Sequence, residues 1–135
     1  MTAAKTLGIH HAGLTVPDLA AARHFFEQAL GFEAVGEVPD YPAAFLSDGS
    51  VMITLWQAEN PQAARPFDRR HNIGLHHFAL RVADSEALDA LHKDFQARGD
   101  VEIEFAPEAL GGGPTRHLMC AIPGGVRLEL IAAGA

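Results

Sequence analysis

The chain has 135 residues, 48% hydrophobic and 20% charged, a composition typical of one globular domain that buries enough surface to fold without a disulfide or a structural metal. Seventeen Asp and Glu against ten Lys and Arg give a net charge of −7 with His neutral, which removes the electrostatic basis for holding nucleic acid or an anionic membrane and leaves a small molecule as the expected partner. The single cysteine, Cys120, excludes an intrachain disulfide, no run reaches the roughly 18 apolar residues of a membrane span, and Met1 to Lys5 lacks an apolar signal core, so a cytoplasmic protein is expected. Eight histidines are the compositional feature left to explain.

The first predicted element is a strand over Ile9 to Val16, in which His10, Ala12, Leu14 and Val16 share one face and Ile9, His11, Gly13 and Thr15 the other. A helix follows, with Asp18 as N-cap, Ala22, Phe25, Phe26, Ala29 and Leu30 at helical spacing, and Gly31 as the stop. Three strands are expected near Glu33 to Val38, Ala43 to Leu46 and Val51 to Trp56, the last two joined through Asp48-Gly49. Ala58 to Asn72 reads as a polar connection whose Arg65, Arg69, Arg70 and His71 are solvated. The pattern then starts again, because Gly74 to Asp84 repeats Gly8 to Asp18 at an offset of 66 with six of eleven positions identical. A second helix runs from Asp84 to Gly99 on Leu88, Leu91 and Phe95, and strands are expected over Val101 to Phe105, His117 to Ala121 and Val126 to Ile131, with Gly124-Gly125 as a turn. Ala106 to Thr115, with three consecutive glycines, reads as a mobile loop and not a strand.

The fold class is therefore α+β: two βαβββ modules forming a curved eight-stranded mixed sheet around a cavity. Residues 1–135 make a single domain, with module 1 at about 7–57, the linker at 58–72 and module 2 at about 73–133. A period of 66 with two copies is a duplicated half-domain and not a solenoid, which needs three or more units.

Strand alternation sorts the histidines. His11 and His77 fall on the face opposite the apolar one in each first strand, and on the last strand Arg127, Glu129 and Ile131 share the parity opposite Val126, Leu128 and Leu130. Two imidazoles and a carboxylate, His11, His77 and Glu129, are the donor set that binds one divalent ion, Zn, Ni, Fe or Mn, with positions left open for substrate. Thr54, Trp56 and Met119 are the expected substrate-pocket residues, Trp56 offering an indole face. His117, on the parity of Met119, is the candidate acid-base or supporting group, and Glu129 a candidate proton carrier. His10 and His76 are read as neighbours without a ligand role, His24 and His92 as surface residues, and Arg116 and Arg127 as surface charge.

At Ile9-His10-His11 through Val16, Leu30-Gly31-Phe32, Leu75-His76-His77 through Val82 and Pro123-Gly124-Gly125-Val126-Arg127-Leu128-Glu129, the chain resembles the vicinal oxygen chelate superfamily of glyoxalase I, extradiol dioxygenases, fosfomycin-resistance transferases and bleomycin-resistance proteins. The resemblance implies a metal held by His11, His77 and Glu129, a small substrate chelated through vicinal oxygens, a lyase or isomerase-like reaction, and a homodimer. Departures narrow it. Thr54 stands where glyoxalase I would carry a further metal-binding Glu, Met119 where a dioxygenase would carry Tyr, and the residues after Glu129 hold no basic segment of the fosfomycin type. The alternatives are a non-catalytic binding protein of the bleomycin-resistance type and a dioxygenase with a His-His-Glu iron site.

Overall fold

The computed structural model describes residues 2–134. In chain order it contains β1 (His11–Val16), α1 (Leu19–Leu30), β2 (Glu33–Val38), β3 (Ala43–Ser47), β4 (Met52–Gln57), β5 (Phe78–Val82), α2 (Ser85–Ala97), β6 (Glu102–Ala109), β7 (Arg116–Ala121) and β8 (Arg127–Ala132). These are the two βαβββ modules, and they form two four-stranded mixed sheets ordered β1-β4-β3-β2 and β5-β8-β7-β6. In each, the first strand pairs parallel to the last and the other pairings are antiparallel. The chain divides into two compact units between Gln62 and Ala63, inside the expected linker. The ends of that linker are tied down separately: Ala58 donates to the Val16 carbonyl at 2.8 Å, and Arg69 reaches Glu104 at 3.2 Å, so Arg69 is not simply solvated.

The helices form where capping and apolar spacing coincide. Asp18 accepts from the Ala21 amide at 3.1 Å and Asp84 from the Ala87 amide at 2.8 Å, each satisfying an amide that the first helical turn leaves without a partner. Gly31 ends α1 at φ 72°, a conformation that costs glycine little. In contrast, α2 stops at Ala97, short of Gly99, where Arg98 turns extended and its guanidinium grips Asp100 at 2.9 Å. One helix face covers each sheet. Phe25 and Phe26 of α1 belong with Leu14, Val16, Leu46, Ile53 and Leu55 among the buried residues of the first unit, and Leu88 and Phe95 of α2 with Leu118, Leu128 and Leu130 in the second. Cys120 shares that second core, and burial pushes its thiol up to about 12, which makes it inert.

Two expectations are corrected. The paired part of each first strand begins later than Ile9 and Leu75, at His11 opposite Met52 and at Phe78 opposite Leu128. The apolar residues before them, Leu7, Ile9, Ile73 and Leu75, are exposed. Second, Ala106 to Ala109 is strand and not loop. β6 runs through Pro107 to Ala109, which an edge strand with register shifts between Ile103 and Glu108 tolerates because a proline there interrupts no central ladder. Only Leu110 to Thr115 remains a loop, closed by the Leu110 amide on the Thr115 carbonyl at 2.8 Å. No helix among the described residues is long and apolar enough to cross a membrane.

Candidate functional site

The chemistry of the second unit centres on Glu129. β8 sets it opposite Ala79 of β5 and Met119 of β7, and the small side chain at Ala79 leaves it room. A buried carboxylate is costly unless partnered, and Glu129 is hydrogen-bonded to one imidazole and faced by a second. His117 Nδ1 lies 2.6 Å from its Oε2, and His77 Nε2 lies 3.2 Å from its Oε1. His117 comes from β7 two residues before Met119, so the strand pleat places both on the face of Glu129. Its ring packs against Phe105 with centroids 4.9 Å apart and approaches Glu108 at 3.8 Å. Among the described residues every buried side-chain nitrogen and oxygen has a partner.

Behind His77 stands a second row of polar groups. His76 Nδ1 is 2.7 Å from His77 Nδ1 and 3.3 Å from Arg127 Nη1. Arg127 is buried, 8% exposed, which corrects the expectation of surface charge. Its Nε and Nη2 donate to the two oxygens of Glu104 at 2.9 and 2.8 Å, a bidentate pair that Arg69 joins. The Arg127 hydrogen bond, against some burial, holds the Glu104 carboxyl below its usual range. Partial desolvation and then the Arg127 charge push His76 below the ordinary imidazole value. Glu104 and Arg127 border a cleft of about 320 Å³ lined also by Phe67, Asp68, Arg69 and Gly125. Arg116, by contrast, is a surface residue tied to Ser85 and Asp89 of α2.

The first unit presents His11 at the start of β1, exposed, with its Nδ1 2.9 Å from His10 Nδ1. Thr54 does not act as a free ligand: its hydroxyl accepts from the Trp56 indole N–H at 2.9 Å. Gly13 lies opposite Thr54, and a Cβ there would stand 3.0 Å from the Thr54 hydroxyl and 3.4 Å from the indole nitrogen, so a side chain at Gly13 would push this hydrogen bond apart. Tyr41 meets the indole edge-on at a centroid distance of 4.5 Å, and Phe45 lies tilted at 5.8 Å. The position that a carboxylate would occupy in a symmetrical site thus holds a pin for an aromatic shelf. Thr54→Val keeps the shape and removes the acceptor. We expect a loss of about 1 kcal/mol in stability and, since Trp56 is the one tryptophan in the chain, an unambiguous change in intrinsic emission. An unchanged spectrum would show that the hydroxyl does not hold the indole.

Of the residues read from the sequence, His77, His117 and Glu129 are brought together within one unit, and Met119 is buried beside them opposite Glu129. Thr54 and Trp56 are together in the other unit, on the strand paired with that of His11. Among the described residues no group of three His, Cys, Asp or Glu is disposed to hold a metal ion. The donor chemistry for one is nevertheless present in the facing pair of His77 Nε2 and Glu129 Oε1, since a neutral imidazole nitrogen and a carboxylate oxygen are both ligands for the same divalent ions. Glu104 and Arg127 lie outside the expected site, and the only mark of them in the sequence is the parity that Arg127 shares with Glu129.

Comparison with known proteins agrees with the architecture. A curated relative, a 2-epi-5-epi-valiolone epimerase from Actinomyces sp, is 30% identical over 147 aligned residues, spanning 93% of this chain and 79% of that protein. Among solved structures, a glyoxalase/bleomycin resistance protein/dioxygenase domain from Frankia sp. EAN1pec superposes with a TM-score of 0.82 at 21% identity, covering 97% of this chain and 94% of that one. A lactoylglutathione lyase from Agrobacterium tumefaciens gives 0.71 at 23% identity, covering 96% of each chain. The family model that matches residues 8–130 takes in both repeats and Glu129, and on that match the chain belongs to the Glyoxalase/Bleomycin resistance protein/Dioxygenase superfamily.

Proposed function

We propose that the chain is a metal-dependent enzyme of the isomerase or epimerase kind, which moves a proton at a carbon beside a carbonyl in a small substrate carrying vicinal oxygens. The observation that supports it most is the buried Glu129 held between two imidazoles, His77 at 3.2 Å and His117 at 2.6 Å. A site that only sequestered a guest would have no use for so costly a group. The relative named as an epimerase supports the reaction class.

In this reading His77 and Glu129 hold one divalent ion, and His11, the counterpart of His77 in the repeat, is by that correspondence a ligand position as well. When bound, the ion supplies a Lewis acid that draws charge from the substrate's oxygens. The remaining work falls to side chains. His117 exchanges a proton with the substrate carbon, imidazole being suited to both directions near neutral pH. Its hydrogen bond to Glu129 Oε2 fixes the ring, so that His117 takes the proton from one face of the carbon, and inversion is completed when water returns a proton to the opposite face.

Metal analysis with a deuterium-exchange assay tests the reading. Protein supplied with Zn, Ni, Mn or Fe(II) should retain one ion per chain. In heavy water it should introduce deuterium beside the carbonyl of at least one member of a panel of hemithioacetals, acyl-CoA thioesters and cyclic 2-hydroxyketones. Failure to retain any of the four ions overturns it.

A further inference from the structure

We propose that His76 is a positioning residue that decides which ring nitrogen of His77 carries the proton, and that the Glu104–Arg127 pair holds His76 in that role. The inference deepens the metal-dependent reading and rests on it for the use to which the oriented ring is put. It follows from counting donors and acceptors. A guanidinium donates and does not accept. Arg127 Nη1 lies 3.3 Å from His76 Nδ1 and 3.4 Å from the His76 carbonyl oxygen, so His76 Nδ1 turns a lone pair toward it and not a proton. The same nitrogen is 2.7 Å from His77 Nδ1, so its one lone pair is shared between the two neighbours and the proton in that contact comes from His77. A neutral His77 is then protonated at Nδ1, and its Nε2 presents a bare lone pair 3.2 Å from Glu129 Oε1. Two lone-pair atoms face each other across that gap, which is where a cation uses both. An outer partner that fixes the ring of a ligating histidine in this way commonly sharpens metal affinity.

Arg127 is in turn immobilised, buried and clamped through Nε and Nη2 on Glu104, so the direction of the His76–His77 hydrogen bond is set by packed groups of the second unit. The first repeat provides a contrast. His10 and His11 make the same contact at 2.9 Å, but β1 places Met52 beside His11, whereas the register of β5 on β8, continued by one residue, places Arg127 beside His77. The Met52 side chain has no N–H to give, so it cannot direct the proton between His10 and His11 as Arg127 does in the second repeat.

The tautomer is read directly from long-range proton–nitrogen correlation spectra of the imidazoles in the metal-free protein, and the consequence from calorimetric titration with Zn²⁺. Wild-type His77 should appear protonated at Nδ1. His76→Ala removes the acceptor and should mix the two tautomers and weaken Zn²⁺ binding by about 10- to 100-fold, while His76→Asn, whose amide oxygen accepts a hydrogen bond, should restore most of both. Arg127→Met, which copies the first repeat, should mix the tautomers with His76 intact. His77 found protonated at Nε2 in the wild type, or an unchanged Zn²⁺ affinity in His76→Ala, overturns the proposal. If the wild type takes up no Zn²⁺ or other divalent ion, the functional reading fails, but the spectrum of the metal-free protein still decides the role of His76.

Discussion

Glu129→Gln should weaken divalent-ion binding by more than about 100-fold, since loss of an outer partner to a ligating residue alone costs 10- to 100-fold and a direct anionic ligand contributes more. Proton exchange with substrate should fall with it. Glutamine is the informative replacement because it has nearly the same volume and its amide oxygen still accepts from His117, so the partner at 2.6 Å is not stranded. Alanine would leave two imidazoles facing a cavity and mix loss of function with loss of packing. The cost in stability of the glutamine variant should be small, because the charge it removes is itself one that burial penalises. Calorimetric titration with Zn²⁺ alongside thermal unfolding separates the two effects. A variant that binds Zn²⁺ as tightly as wild type would remove Glu129 from the site and with it the proposed chemistry.

The parts of the molecule that could be read in advance are those governed by neighbours in the chain. Asp18, Gly31 and Asp84 punctuate the helices through contacts within five residues, and the pleat puts His117 and Met119 on one face, where the pairing of β7 with β8 adds Glu129. The Thr54–Trp56 hydrogen bond also joins residues two apart on one strand. What escaped depends on departures from regular pairing. The bulges of β6 break the alternation that would have put Glu104 in register, so its grip on Arg127, 23 positions away, has no signature in spacing. The His76–His77 contact is hidden for a related reason. Consecutive residues of a paired strand point to opposite faces, but these two precede the paired part of β5, where the backbone is free to bring both Nδ1 atoms within 2.7 Å.

Phe26→Ala is expected to cost about 3–5 kcal/mol, the usual range for emptying a fully buried phenylalanine site. Phe26 is completely buried on α1, with its ring edge-on to Phe25 at 5.5 Å and to Phe32 at 5.2 Å. Phe32 follows the left-handed turn at Gly31, and its amide donates to the Phe26 carbonyl at 3.0 Å, so the cavity would open where the helix is fastened to the strand after it. A chain of this length is stable by about 7–20 kcal/mol on a per-residue basis, so the loss is a large fraction of the whole. Phe26→Leu should cost about 1–2 kcal/mol, since leucine refills most of the volume and forfeits mainly the edge-to-face contacts. Leu7→Ala, at a fully exposed apolar position, should stay within about 0.5 kcal/mol. Urea unfolding of the three variants measures the order directly. A Phe26→Ala midpoint no lower than that of Leu7→Ala would mean that α1 is not held to its sheet by this aromatic cluster.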